Sequence, residues 1–305
     1  MMRQPIFNSQ FSILNLIKSM RLRTLPLSLA GVVCGSLLAV VPIGGSGWAL
    51  AFLYLTTVSL QILSNLSNEM GDHLSGVDDD SREGPNYSLS EGGLTVRQMW
   101  RAINAFVIIC AFSGLLMLLF SFQFSILNFQ FSILLLLGAA AIWAATHYTL
   151  GKNPYGYRGL GDLFVFIFFG LVSVLGSYFV MAHTIPLRAW LILPAVGIGL
   201  LSVAVLNVNN IRDMDSDRGL RQTVPLRIGS CAARWYQTVL VVGGVCCMSV
   251  CYPYVLFMAP LFVVHLVGVW RRTGRDLDPM LPLLVMSTFG LSALYTVLSV
   301  CGILC

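Results

Sequence analysis

The chain has 305 residues, of which 57% are hydrophobic and 10% charged, and its mean hydropathy is +0.81. Soluble domains carry about 25% charged residues, so a soluble, disordered, collagenous or coiled-coil protein is excluded and a polytopic all-α membrane protein remains. The net charge of +5 is read as a topology signal rather than as a nucleic-acid footprint.

A spanning helix needs about 20 apolar residues. In chain order, apolar windows predict nine spans: 24–42, 48–67, 101–121, 129–149, 162–182, 189–210, 234–251, 254–270 and 281–303. The runs are long and continuous, which argues against an alternating outer-membrane barrel. Residues 1–23 read as a cytoplasmic N-terminal segment, with an interfacial helix over Ile6–Met20, and no cleavable signal is expected before the first span. One transmembrane domain, 1–305, is expected. The string QFSIL occurs at 10–14, 123–127 and 130–134 and reads as duplicated, tolerated apolar sequence. The eight cysteines follow no zinc or redox spacing and read as small apolar residues.

With these spans, 17 of the 18 Lys and Arg fall on one side and only Arg188 on the other. The positive-inside rule then places the N-terminus in the cytoplasm and the C-terminus outside. All 13 acidic residues lie on that same cytoplasmic side, a concentration that topology does not require.

Two acidic clusters stand out. The second span runs into Asn65-Leu-Ser-Asn68-Glu69-Met-Gly-Asp72, whose polar residues share an arc of about 100° at helical spacing. The sixth runs into Asn209-Asn210-Ile-Arg-Asp213-Met-Asp-Ser-Asp217, where Asn209, Asn210, Asp213 and Asp217 fit a similar arc. Asp215 points elsewhere and is expected in solvent. Carboxylates at a membrane edge are costly and usually functional. Without His or Cys they suit Mg²⁺, which shares its shell with water and substrate phosphates. The clusters lie four helices apart on one side, which suggests a four-helix repeat plus a ninth helix. Acidic faces among Arg and Lys make a diphosphate site, and a membrane location suggests a prenyl substrate. A secondary transporter is the alternative class, but transporter sites lie near the bilayer midplane, whereas these carboxylates lie at its edge.

These motifs resemble the UbiA superfamily of membrane prenyltransferases. Asn68-Glu69-Met-Gly-Asp72 is similar to its first acidic motif, Asp213-Met-Asp-Ser-Asp217 to its second, and Tyr148-Thr-Leu-Gly-Lys152 to its Tyr-x-x-x-Lys element. Within the superfamily, the stretches at 21–28, 61–85, 156–178 and 206–229 resemble the branch that prenylates 1,4-dihydroxy-2-naphthoate in menaquinone synthesis. The resemblance implies a transfer from polyprenyl diphosphate to that acceptor with loss of CO₂ and diphosphate, in the bacterial inner membrane, with Mg²⁺ as cofactor. It implies metal ligation by Asn68, Glu69, Asp72, Asp213 and Asp217, and catalysis by Asp72, Asp213, Asp217, Lys152 and Tyr148. Substrate contacts are expected from Asn65, Asn68, Arg82, Tyr157, Arg158, Asn209, Asn210, Arg212 and Arg221. Departures are Glu69 where the family has Asp, Asn86 and Tyr87 in place of a basic residue, and Arg221 in place of a lysine. 4-Hydroxybenzoate and homogentisate remain alternative acceptors. His73 and His147 read as packing residues; Phe164–Phe169 faces either lipid or the prenyl chain.

Overall fold

The computed structural model describes residues 9–76, 88–89, 91, 93–126 and 128–304, with side chains described between 13 and 302. Among them there is no strand, and nine stretches are long and apolar enough to span a membrane. A short helix, α1 (Ser9–Ser19), precedes the spans α2 (Leu25–Ile43), α3 (Gly47–Ser75), α4 (Val96–Ser121) and α5 (Phe129–His147). There follow α6 (Gly161–Ala182), α7 (Ala189–Arg212), α8 (Ser230–Ser249), α9 (Pro253–Arg271) and α10 (Met280–Leu304).

Local chemistry fixes several starts. Ser46 Oγ accepts from the Ala49 N–H at 3.2 Å, Thr95 and Gln98 form a reciprocal capping box, and Asn128 Oδ1 accepts from the Gln130 N–H at 2.8 Å. Each satisfies a backbone donor that a helix start leaves without a partner. α1 is a helix within the Ile6–Met20 stretch that the sequence reads as interfacial. Ile13 and Leu14 are exposed, whereas Asn15 and Lys18 bond inward to the Gly93 carbonyl and to Glu91. The QFSIL copies adopt different structures: Gln123 and Phe124 sit in a turn at positive φ, and 130–134 lies inside α5. Context, not the pentapeptide, sets the conformation.

α3 lies along α4 and α7 along α8, the corresponding pairs of the expected repeat, while α2 packs on both α10 and α6. Helices in lipid gain little from apolar burial and associate through close backbone packing. Small residues provide it here: a Cβ on Gly35 would collide with the Val174 carbonyl, and Gly197 and Gly244 each face the other's carbonyl across α7 and α8. Cys34 and Cys110 are buried among these helices, as small apolar residues would be.

One irregularity shapes the interior. From Phe166 to Gly176, α6 winds as a π-helix, wider than an α-helix and common at functional sites. Gly170 lets it press on α7, since a Cβ there would stand 2.6 Å from the Ala195 oxygen. The wide turns direct Phe168, Phe169 and Val172, with Phe164 from the α-helical turn before them, into a cavity of about 350 Å³ drawn from α2 to α7. The aromatic run thus lines the interior.

Candidate active site at the acidic ends of α3 and α7

The cavity has a polar head and an apolar body. Gln61, Ser64, Asn65, Asn68 and Tyr148 line the head, and the body continues past Gly138, Leu134 and Met117. Tyr148, Tyr155 and Phe164 form an aromatic collar at the head, with Tyr155 stacked on Phe164 at 4.0 Å between ring centres. Burial pushes the Tyr148 hydroxyl up to about 12 and raises those of Tyr155 and Tyr157 as well, with Asp72 adding to the effect on Tyr157. All three therefore stay protonated donors at neutral pH.

Asp72 is buried at the end of α3. Tyr157 donates to its Oδ1 at 2.8 Å, Arg221 pairs with the same oxygen, and Ser75, one turn on, bonds to the Tyr157 hydroxyl at 2.9 Å. Arg221 Nε lies 3.6 Å from Asp217, and its guanidinium stands 4.9 Å over the Tyr157 ring. Burial works against the charge on Arg221, but Asp72 and Asp217 outweigh it and hold its pKa above the usual value. The two acidic motifs therefore meet through one cation.

The loops that carry these groups are joined. The Gln222 N–H donates to the Tyr157 carbonyl at 3.0 Å, and Arg227 donates to the Arg158 carbonyl at 2.9 Å. Gly159, at φ +79°, makes the turn, and a Cβ there would meet Arg227 and Gln222. Gly71 has a similar reason: a Cβ would stand 2.6 Å from Thr149, whose hydroxyl donates to the Ser67 carbonyl and approaches Asn68 Oδ1.

Other predicted residues take different places. Glu69 is wholly buried and its Oε1 accepts from Ser19 and from the Leu89 N–H. Through that oxygen it fastens α1 and Leu89 to α3, a structural task beside the metal ligation expected from the sequence. Asn65 donates to the Met20 carbonyl and Thr24, tying α3 to the turn before α2 while still lining the cavity. Asp213 accepts from Arg212 through both oxygens, at 2.7 and 2.8 Å. Arg212 also reaches Asn209 and Asp278, each at 2.8 Å. Arg212, expected from the sequence as a substrate contact, thus bonds to Asp213, Asn209 and Asp278. Asn210 is buried beside them. Lys152 and Arg158 stand exposed at the rim without an ion pair among the described residues. Asp215 pairs with Arg218 in solvent, as expected. Arg82, Asn86 and Tyr87 lie outside the described residues. Ser75, Thr149 and Asp278 were missed by the sequence reading; only Ser75, one helical turn from Asp72, carried a signal in its spacing.

Residues 28–278 match the UbiA prenyltransferase family. The chain is 38% identical over 300 residues to the 1,4-dihydroxy-2-naphthoate octaprenyltransferase of Escherichia coli strain K12, covering 94% of each. It is 35% identical to the protein of the same name from Haemophilus influenzae, over 90% of this chain and 92% of that one. Among solved structures, a UbiA homolog from Aeropyrum pernix superposes with a TM-score of 0.66 at 17% identity, over 92% of this chain and 98% of that one. A UbiA homolog from Archaeoglobus fulgidus, bound to GPP and Mg²⁺, gives 0.64 at 16%, over 93% and 98%. The nine-span bundle is thus that of a known fold, and the chain belongs to the UbiA prenyltransferase family.

Proposed function

We propose that the protein transfers a polyprenyl chain from polyprenyl diphosphate to 1,4-dihydroxy-2-naphthoate, releasing diphosphate and CO₂ and giving demethylmenaquinol, the reduced form of demethylmenaquinone. The observation that carries this reading is the convergence of Asp72 and Asp217 on one cation near Tyr148, which lines the polar head of an apolar, aromatic-collared cavity. The choice of acceptor is supported by the relatives named for it. Family membership sets the transporter alternative aside.

The Arg221 guanidinium between Asp72 and Asp217 is a stand-in ion, and it shows that the two carboxylates accept a cation between them. Hard oxygen donors suit Mg²⁺, so Asp72 and Asp217 would hold it, with the Asn68 amide at hand. No group of three or more His, Cys, Asp or Glu poised for a metal occurs among the described residues, which fits an ion that completes its shell with water and substrate phosphates. When bound, Mg²⁺ supplies Lewis-acid neutralisation of the departing diphosphate.

The chain's own residues then divide the work. Arg221 offers a forked cation to diphosphate oxygens, and Lys152 and Arg158 bring charge from the rim. The collar of Tyr148, Tyr155 and Phe164 faces the allylic carbon with π density as its C–O bond breaks and keeps water from the cation. Tyr148, protonated, donates a hydrogen bond and is no base. The acceptor ring attacks the allylic carbon, and the bond to its carboxylate breaks. The Lys and Arg distribution supports a cytoplasmic N-terminus and a site facing the cytoplasm across a bacterial inner membrane.

The cavity wall sets a further expectation. Gly138 lines the cavity, and a Cβ there would meet nothing within 4 Å. It lies ten residues along α5 from Tyr148, roughly 15 Å at helical rise. Gly138→Phe should lower kcat/KM at least about ten-fold for long-chain donors, the scale of a misfit in an apolar pocket. A two-isoprene donor should be turned over as before. Equal losses for both lengths would show that the chain does not pass Gly138.

The acceptor is tested by incubating the purified protein with a labelled polyprenyl diphosphate and a panel of acceptors. The naphthoate should become labelled and 4-hydroxybenzoate and homogentisate should not. Labelling of either of those with an inert naphthoate would contradict the substrate reading.

A further inference from the structure

We propose that Arg221 is a shared counter-ion of Asp72 and Asp217, occupying carboxylate oxygens for which a divalent cation competes, and that donor binding moves it onto the diphosphate. The proposal rests on the prenyl-transfer reading above and concerns how the two carboxylates exchange one cation for another. Two buried carboxylates cannot face each other uncompensated, because their repulsion and desolvation are both costly. Arg221 meets that need. It pairs with Asp72, lies near Asp217 and stacks over Tyr157, and its side chain is only 10% exposed.

The same contacts make it a competitor. The guanidinium and a metal would use the same carboxylate oxygens, so a divalent ion alone must expel a paired arginine. With the diphosphate present, the expelled arginine gains a new anionic partner, and the cost of leaving Asp72 is offset. The segment around it can move. Arg218, Gly219 and Leu220 are exposed, and Gly219 sits at φ +82° with open space about its Cα. Metal and donor should therefore bind together far better than metal alone.

The test compares the full chain and Arg221→Gln in phospholipid nanodiscs, by calorimetric titration with MgCl₂ alone and then with inorganic diphosphate present. Arg221→Gln should bind Mg²⁺ alone at least about ten-fold more tightly than the parent, in line with removal of a charged hydrogen-bonded competitor. It should bind Mg²⁺ with diphosphate more weakly, because the receiving charge is gone. Its thermal midpoint should fall in chelator and recover with Mg²⁺. This reversal of sign is not expected of an arginine that merely props the loops. Arg221→Lys keeps the charge but loses the fork that reaches both carboxylates, and should move the affinity for Mg²⁺ alone the same way by a smaller factor, even if the Gln variant does not fold. If the parent binds Mg²⁺ with diphosphate and neither variant binds Mg²⁺ alone more tightly, the counter-ion proposal is overturned and the site reading stands. If the parent binds no Mg²⁺ even with diphosphate, both fall.

Discussion

Asp72→Asn should lower kcat by about 10³-fold or more, the scale seen when one preorganised group facing developing charge is lost. The substitution keeps the shape and removes the charge that meets Arg221, Tyr157 and the proposed metal. Tyr157 can still donate to the Asn oxygen, so the local fold should survive in the purified protein. Asp215→Asn is the matched control. That carboxylate stands 78% exposed beside Arg218, and its loss should leave turnover within about two-fold, as surface substitutions usually do. Turnover by folded Asp72→Asn at the parental rate would remove Asp72 from the chemistry.

Arg212→Leu should destabilise the protein by about 3–5 kcal/mol, the usual cost of stripping one partner from a buried pair. Arg212 and Asp213 side chains are 3% and 4% exposed, and the substitution leaves Asp213 without the fork that serves both of its oxygens. The link from α7 through Asp278 to the start of α10 is lost at the same time. Unfolding in detergent should show the drop, and adding Asp213→Asn should recover part of it, because the two residues are coupled. An Arg212→Leu protein as stable as the parent would mean that Asp213 finds another cation and that the network is not structural.

The nine spans were legible because lipid demands long apolar runs, and a hydropathy window detects little else. Their ends were less so. The third predicted span shows why: α4 starts at Val96 rather than at 101 because Thr95 and Gln98 cap it, although Arg97, Gln98 and Arg101 dilute the apolar window. α3 continues to Ser75, past the predicted end at 67, because its polar last turns are buried under Thr149 and Tyr157.

The acidic stripes were legible from helical spacing alone. Their partners were not. Glu69 shares a stripe with Asp72 yet turns to Ser19, fifty residues earlier in the chain, and Asp72 is met by Arg221 from 149 residues further on. The sequence shows the charge of Arg212 but not its bond to Asp278, which the start of α10 brings beside it. The π-helical stretch of α6 left no periodic signature either, since it depends on the approach of Gly170 to α7. That stretch decides which aromatic residues line the cavity, so the Phe164–Phe169 run could not be assigned a face before the fold was known.

The central claim is that prenyl transfer here replaces the carboxylate of the naphthoate. The most direct measurement supplies 1,4-dihydroxy-2-naphthoate labelled at its carboxyl carbon together with a polyprenyl diphosphate, and follows labelled CO₂ and prenylated product in the same vessel. One labelled CO₂ should be released for each demethylmenaquinol formed, with both dependent on the donor and on Mg²⁺. A prenylated product that keeps the label, or label release without the donor, would contradict the account.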